Sequence, residues 1–212
     1  LININSEFKD LISFSDNNLK GFDAIIATGS NNSKIYFDSY FSSYPSLIRG
    51  NRTSVAILNG QETLEERKGL AKDIFSYFGL GCRSITKIFI PRDYNLDLLF
   101  EVFYEYNEVN LNNKYANNYD YNKAIFLMGS NVIIENGFII LKEDDSSLHS
   151  PVSVLYYEYY DEISSIRNHV DSLSEEIQCV CGEGYLPFGK AQMPEIDDYA
   201  DGVNTINFLS KI

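Results

Sequence analysis

Apolar positions along the chain follow two different spacings, and each predicts its own elements. Over 64–78 the positions Leu64, Leu70, Ala71, Ile74, Phe75 and Phe78 fall on one helical face. Thr63 and Glu66 form a capping box ahead of them, and Gly79 stands in the C′ position expected of a helix stop. A second amphipathic helix is predicted over 96–106, with Leu96, Leu99, Phe100 and Phe103 inward. A third is predicted over 161–170, with Ile163, Ile166 and Val170 on one side. Between these lie short, mostly apolar runs at 22–28, 54–58, 85–90 (stopped by Pro91), 152–157 and 177–181. Runs of this kind suit strands buried on both faces, as in a parallel sheet.

The segment 132–141 is split by Asn136-Gly137 and predicts a hairpin with a type I′ turn. Gly29-Ser30-Asn31-Asn32 supplies a turn and helix caps for residues 35–41. Residues 1–21 carry only a weak helical pattern. The Asn/Tyr-rich stretch 110–122 reads as a loop leading into a helix at 124–128, and 186–194 reads as a glycine and proline loop. The expected fold class is α/β, a mostly parallel open sheet flanked by helices with one β-hairpin, without internal repeats or long linkers.

The chain has 212 residues, 44% of them hydrophobic, enough to bury a sizeable core in one domain or one and a half. Its formal net charge of −13 argues against nucleic acid, whose phosphates need clustered Lys and Arg, and against a basic membrane-surface helix. No apolar run reaches the roughly 18 residues of a membrane span, and no signal-peptide pattern opens the sequence. Three cysteines, two of them spaced Cys179-Val-Cys181, suit a reducing cytoplasm better than a disulfide framework. With only His149 and His169 to add, they make a poor zinc set, so no metal is expected. Cys179 and Cys181 are expected to share one face of a short strand. The sequence opens on Leu1 rather than Met, which suggests a piece of a longer protein. Oligomeric state is left open.

Cys82 is the residue that carries candidate chemistry. In Phe75-Ser-Tyr-Phe-Gly-Leu-Gly-Cys-Arg83 a helix stops and a strand begins, and Gly79 and Gly81 place the thiol in a short open turn. A nucleophile needs a rigid mount, an open approach and backbone amides nearby. A buried free cysteine at a helix end fits the same residues. Arg83 supplies a positive charge to a thiolate if its guanidinium turns back, and a solvated charge or a carboxylate pair is its bland alternative. A thiol acyltransferase or thioesterase would pair Cys82 with His149 or His169 within hydrogen-bond reach. A non-catalytic binding domain would use Cys82 only for packing.

Several segments together resemble the acyl-CoA reductases of the LuxC type, within the aldehyde dehydrogenase superfamily. They are Phe22-Asp-Ala-Ile-Ile-Ala-Thr-Gly-Ser30, Asn51-Arg-Thr-Ser-Val-Ala-Ile-Leu58, Gly79-Leu-Gly-Cys-Arg-Ser-Ile-Thr-Lys-Ile-Phe-Ile-Pro91, Ser150-Pro-Val-Ser-Val-Leu-Tyr-Tyr157, Pro187-Phe-Gly-Lys-Ala-Gln192 and Asp198-Tyr-Ala-Asp-Gly-Val203. The resemblance covers about 22–209 and implies an aldehyde dehydrogenase-like catalytic domain with Cys82 as nucleophile. Thr28, Gly29, Ser30 and Phe188 would contact the cofactor, NADPH, and CoA would leave from an acyl-CoA substrate. It implies three parts: 1–50 at the edge of a nucleotide-binding domain, 51–185 as the cysteine-bearing catalytic domain, and 186–212 returning toward the cofactor domain.

The departures are informative. Where hydrolytic aldehyde dehydrogenases carry a water-activating glutamate, Arg49-Gly-Asn-Arg-Thr-Ser54 has no acid, which favours transfer to or from CoA. The ribose-binding Glu-x-Phe-Gly-Pro reads Ser147-Leu-His-Ser-Pro151, without its acid. No Gly-x-Gly-x-x-Gly is present. The expected partner is therefore the remaining N-terminal half of such a polypeptide, and this chain alone is expected to be inactive or nearly so in NADPH-dependent turnover.

Overall fold

The computed structural model describes residues 3–212. Two compact units divide the chain: Leu1–Gly50 with Thr205–Ile212, and Asn51–Asn204.

In the first unit, β1 (Ile25–Thr28) and β2 (Ser46–Arg49) pair in parallel around the helix α1 (Asn31–Tyr40). Ser30 caps α1, its Oγ accepting the Ser33 N–H at 3.2 Å, so the helix starts four residues earlier than its apolar positions suggest. β2 escapes the pattern because Ser-Leu-Ile-Arg is too short and mixed to register. The weak helix over 1–21 reduces to a single 3₁₀ turn, Ser6–Asp10. Arg49 Nη2 donates to Thr205 Oγ1 at 3.0 Å, joining the short helix Thr205–Leu209 to this unit.

The second unit is built on a sheet. Its strands are β3 (Thr53–Ile57), β4 (Ile85–Pro91), β5 (Ile133–Glu135), β6 (Ile140–Glu143), β7 (Val154–Tyr160) and β8 (Ile177–Gly182). They lie in the order β5-β6-β7-β4-β3-β8, and every pairing is parallel except β5–β6. Helices α2 (Leu64–Phe75), α3 (Asp97–Phe103) and α4 (Asn113–Met128) follow β3 and β4, and α5 (Ile163–Ser172) joins β7 to β8. Leu70, Ile74, Phe75, Leu99, Phe103 and Tyr115 bury one face of the sheet over Ile88, Ile90 and Leu155. On the other face, Ile166 and Val170 of α5 cover Val55, Ile57 and Phe89. The alternation of helix and apolar strand thus yields the α/β sheet expected.

Three expectations need correction. The capping box of α2 is present, but the helix ends at Phe75, not beside Gly79. Tyr77 (φ 56°), Phe78 (φ 60°) and Gly79 (φ 73°) then form a left-handed turn, and Leu64 and Phe78 lie off the buried face. Residues 110–122 are mostly helix, because Tyr115, Tyr119 and Asn122 share a buried stripe at helical spacing and Asn112 Oδ1 caps the Lys114 and Tyr115 N–H groups. Composition hid this, since Tyr and Asn look like loop residues. The hairpin is real but its turn is not type I′: Glu135 pairs with Ile140, leaving four residues between. Only Gly137 has positive φ (95°), while Asn136 Oδ1 accepts the Phe138 and Ile139 N–H groups at 3.4 and 3.2 Å.

Candidate functional site

The turn between α2 and β4 presents Cys82 to solvent, whereas Cys179 and Cys181 are buried and all three thiols are free. In the same turn, Tyr77 and Leu80 are 71% and 70% exposed. Non-glycine residues pay about 1–2 kcal/mol each for left-handed backbone, and the packing of the turn must offset that cost at Tyr77 and Phe78.

Buried Ser84 does so by closing the turn on itself. Its Oγ donates to the Ser76 carbonyl at 3.3 Å and accepts the Gly81 N–H at 3.2 Å, while Gln192 Nε2 donates to it at 3.2 Å. The Ser84 N–H returns to the Gly81 carbonyl at 2.9 Å. From below, Ser54 Oγ on β3 donates to the Cys82 carbonyl at 2.8 Å. Among the described residues none accepts a hydrogen bond from the Cys82 N–H.

Arg83 does not turn back to the thiol. Its guanidinium donates to the Ala191 carbonyl at 3.0 Å and pairs with Asp198, because a buried carbonyl and a carboxylate hold it better than a neighbouring thiol. It ties the 191–198 segment under the turn instead. Neither imidazole hydrogen-bonds Cys82 among the described residues: His149 is exposed on a loop, and His169, on α5, meets Phe89 edge-on at 6.5 Å.

Phe188 lies partly buried against the larger core cluster. Its backbone crosses α2 at Gly69, where a Cβ would come within 2.7 Å of the Phe188 carbonyl. One turn along α2, fully buried Asp73 accepts the Gly189 N–H at 2.6 Å and the Ala191 N–H at 3.1 Å. Gly69 and Asp73, four apart, therefore form a groove and a clamp for 188–191. Burial pushes the Asp73 carboxyl above its ordinary range, against the pull of those two amides.

Cys181 Sγ faces Asp73 at 3.7 Å, and Cys179 Sγ lies 3.1 Å from Ser54 Oγ. Its neighbour Cys181 draws the Cys179 thiol down toward neutral, while Cys179 and burial push the Cys181 thiol up. Sequence reasoning missed Asp73, Ser54 and Ser84. The available signal for Asp73 was a carboxylate within the apolar face of Leu70, Ala71, Ile74 and Phe75.

In the first unit, Thr28 and Ser30 are exposed and Gly29 sits between them, its N–H on the Arg49 carbonyl at 3.1 Å. A Cβ on Gly29 would meet Ser33 Cβ at 2.7 Å, so the tight strand-to-helix turn requires glycine. The residues form a small-side-chain turn at a helix start, a form suited to an anionic group. Among the described residues no helix is long and apolar enough to cross a membrane.

Comparison with solved structures agrees with this architecture. The chain is similar to an indole-3-acetaldehyde dehydrogenase solved with NAD+ (10% identity, TM-score 0.54, 76% of this chain and 40% of that one). It is similar to the aldehyde dehydrogenase-type PutA of Anabaena variabilis (10% identity, TM-score 0.55, 82% and 48%). A third likeness is to an aldehyde dehydrogenase of Bacillus cereus solved with NAD+ (13% identity, TM-score 0.52, 76% and 40%). The chain spans less than half the length of each. The fold is thus that of aldehyde dehydrogenase domains: a mostly parallel sheet flanked by helices. No family model matches the sequence, and no curated protein does.

Proposed function

We propose that this chain is the cysteine-bearing part of a nicotinamide-dependent oxidoreductase that reduces an acyl-CoA to an aldehyde. The observation that carries the reading is the exposed Cys82 thiol on a closed turn between α2 and β4, within an aldehyde dehydrogenase fold. The Cys82 thiolate attacks the thioester carbonyl, a carbon–sulfur bond forms, and CoA departs as its thiolate. The Cys82 N–H donates to the oxygen while it carries negative charge. A thioester on sulfur then accepts hydride more readily than an oxygen ester. Hydride at the acyl carbon would leave an alkoxide on the carbon bound to Cys82 Sγ, and its collapse would break that carbon–sulfur bond, returning the Cys82 thiolate and releasing the aldehyde.

NADPH, when bound, supplies the hydride. Thr28, Gly29 and Ser30 fit one edge of such a cofactor, since the turn is glycine-dependent and opens a helix, and Phe188 is the second contact the resemblance assigns. The Arg49–Ser54 segment carries no carboxylate to activate water, which favours an acyl-enzyme resolved by reduction over hydrolysis to acid. Uncovered Tyr77 and Leu80 in the same turn as Cys82 favour a long apolar acyl group. The cytoplasm and the N-terminal remainder of the polypeptide as partner belong to the same reading.

The test is a single-turnover assay with a long-chain acyl-CoA and no reductant, followed by chromatography of free CoA. The expected result is a burst of about one CoA per chain, absent in Cys82→Ser. Equal release from Cys82→Ser overturns the reading.

A further inference from the structure

Ser54 sits where both ladders of β3 slip. Against β4 the register passes from Ser54↔Ile85 to Val55↔Lys87, and against β8 from Thr53↔Ile177 to Ser54↔Cys179. Each neighbouring strand thus carries one extra residue at the level of Ser54. A bulge re-aims side chains and is placed where that matters. Here two bulges meet at one residue. Its fully buried side chain spends its hydrogen-bonding capacity on the Cys82 carbonyl, at 2.8 Å, and on Cys179, whose N–H donates at 3.2 Å.

A regular ladder needs no such serine. Pinning the Cys82 carbonyl fixes the peptide plane between Cys82 and Arg83, and with it the backbone torsion that aims the Cys82 side chain. Ser84 closes the turn from within but touches only its ends, at Ser76 and Gly81. Ser54 is the side chain that reaches the cysteine residue itself.

We propose that Ser54 is a positioning residue for the Cys82 nucleophile, and that the double register shift of β3 places it there. The proposal rests on Cys82 being the reactive thiol, as in the function above, but not on the identity of its substrate. Without the Ser54 hydroxyl the Cys82 carbonyl is released and the thiol leaves its outward setting for much of the time.

The experiment measures alkylation of Cys82 by iodoacetamide in the 212-residue chain, read by peptide mass spectrometry well below the melting temperature, together with amide hydrogen exchange over 81–84. Ser54→Ala is expected to slow alkylation at least fivefold and to speed exchange there at least tenfold. Ser150→Ala, which deletes another buried hydroxyl of the same unit, bonded to the Val154 carbonyl and not to Ser54, is expected to leave both within twofold. Ser54→Thr keeps the oxygen while crowding the core; its melting temperature is expected to fall while Cys82 alkylation stays within twofold of the wild type. This separates positioning from stability. The proposal is overturned if Ser54→Ala leaves alkylation within twofold, or if Ser150→Ala slows it as much. Neither readout needs acyl-CoA or a cofactor, so an absence of reductase chemistry registers separately, as the missing CoA burst.

Discussion

Replacing Asp73 with alanine removes the clamp that holds 188–191 across α2. The carboxylate is fully buried and accepts the Gly189 and Ala191 N–H groups at 2.6 and 3.1 Å. Truncation leaves two amides without an acceptor, at about 1–3 kcal/mol each for a buried donor. Relief from desolvating the carboxylate offsets part of this, so the net cost is about 2–4 kcal/mol. Burial holds the carboxyl above its ordinary value, so folding takes up a proton at this site. The sign follows: a group raised in the folded state contributes stability that is full below its unfolded value and is lost as pH rises through the folded one. The gap between wild type and Asp73→Ala therefore widens from neutral pH toward acid. Urea unfolding at a series of pH values measures it, and alkylation of Cys181, fully buried beneath this segment, reports the local opening. A cost below about 1 kcal/mol, or a gap that narrows toward acid, refutes the reasoning.

Gly69→Ala improves intrinsic helix propensity by about 1 kcal/mol, yet is expected to destabilise, because the new Cβ falls 2.7 Å from the Phe188 backbone; a raised melting temperature contradicts this. Tyr77→Gly is expected to stabilise by about 1 kcal/mol, since Tyr77 is exposed and left-handed; denaturant unfolding checks it. Lys123 and the Tyr119 hydroxyl hold Glu135 down at about 2. A depressed carboxylate contributes stability above its unfolded value of 4.5 that is lost as pH falls toward 2, so Glu135→Gln should flatten the acid limb of the stability profile between those limits.

Much of the sheet was legible because β3, β4, β7 and β8 are short, mostly apolar runs, and α2 announced its cap and most of its face. Cys82 was legible as a thiol in a turn between helix and strand. What surrounds it was not. The left-handed run from Tyr77 to Gly79 has no sequence signal, since aromatic residues avoid that conformation when isolated. Asp73 and Ser54 act through partners 116 and 28 positions away in sequence, distances that no local period encodes. Arg83 was placed by Asp198 and the Ala191 carbonyl rather than by its neighbour. The helix α4 was hidden because tyrosine serves a buried stripe as readily as a loop.

The account depends on Cys82 taking an acyl group from a thioester. The chain is incubated with a long-chain acyl-CoA without reductant, digested and mapped by mass spectrometry. The expected result is one acyl adduct, on Cys82, absent from Cys82→Ser, with Cys179 and Cys181 unmodified. A chain that stays unacylated, or an adduct that persists in Cys82→Ser, contradicts it.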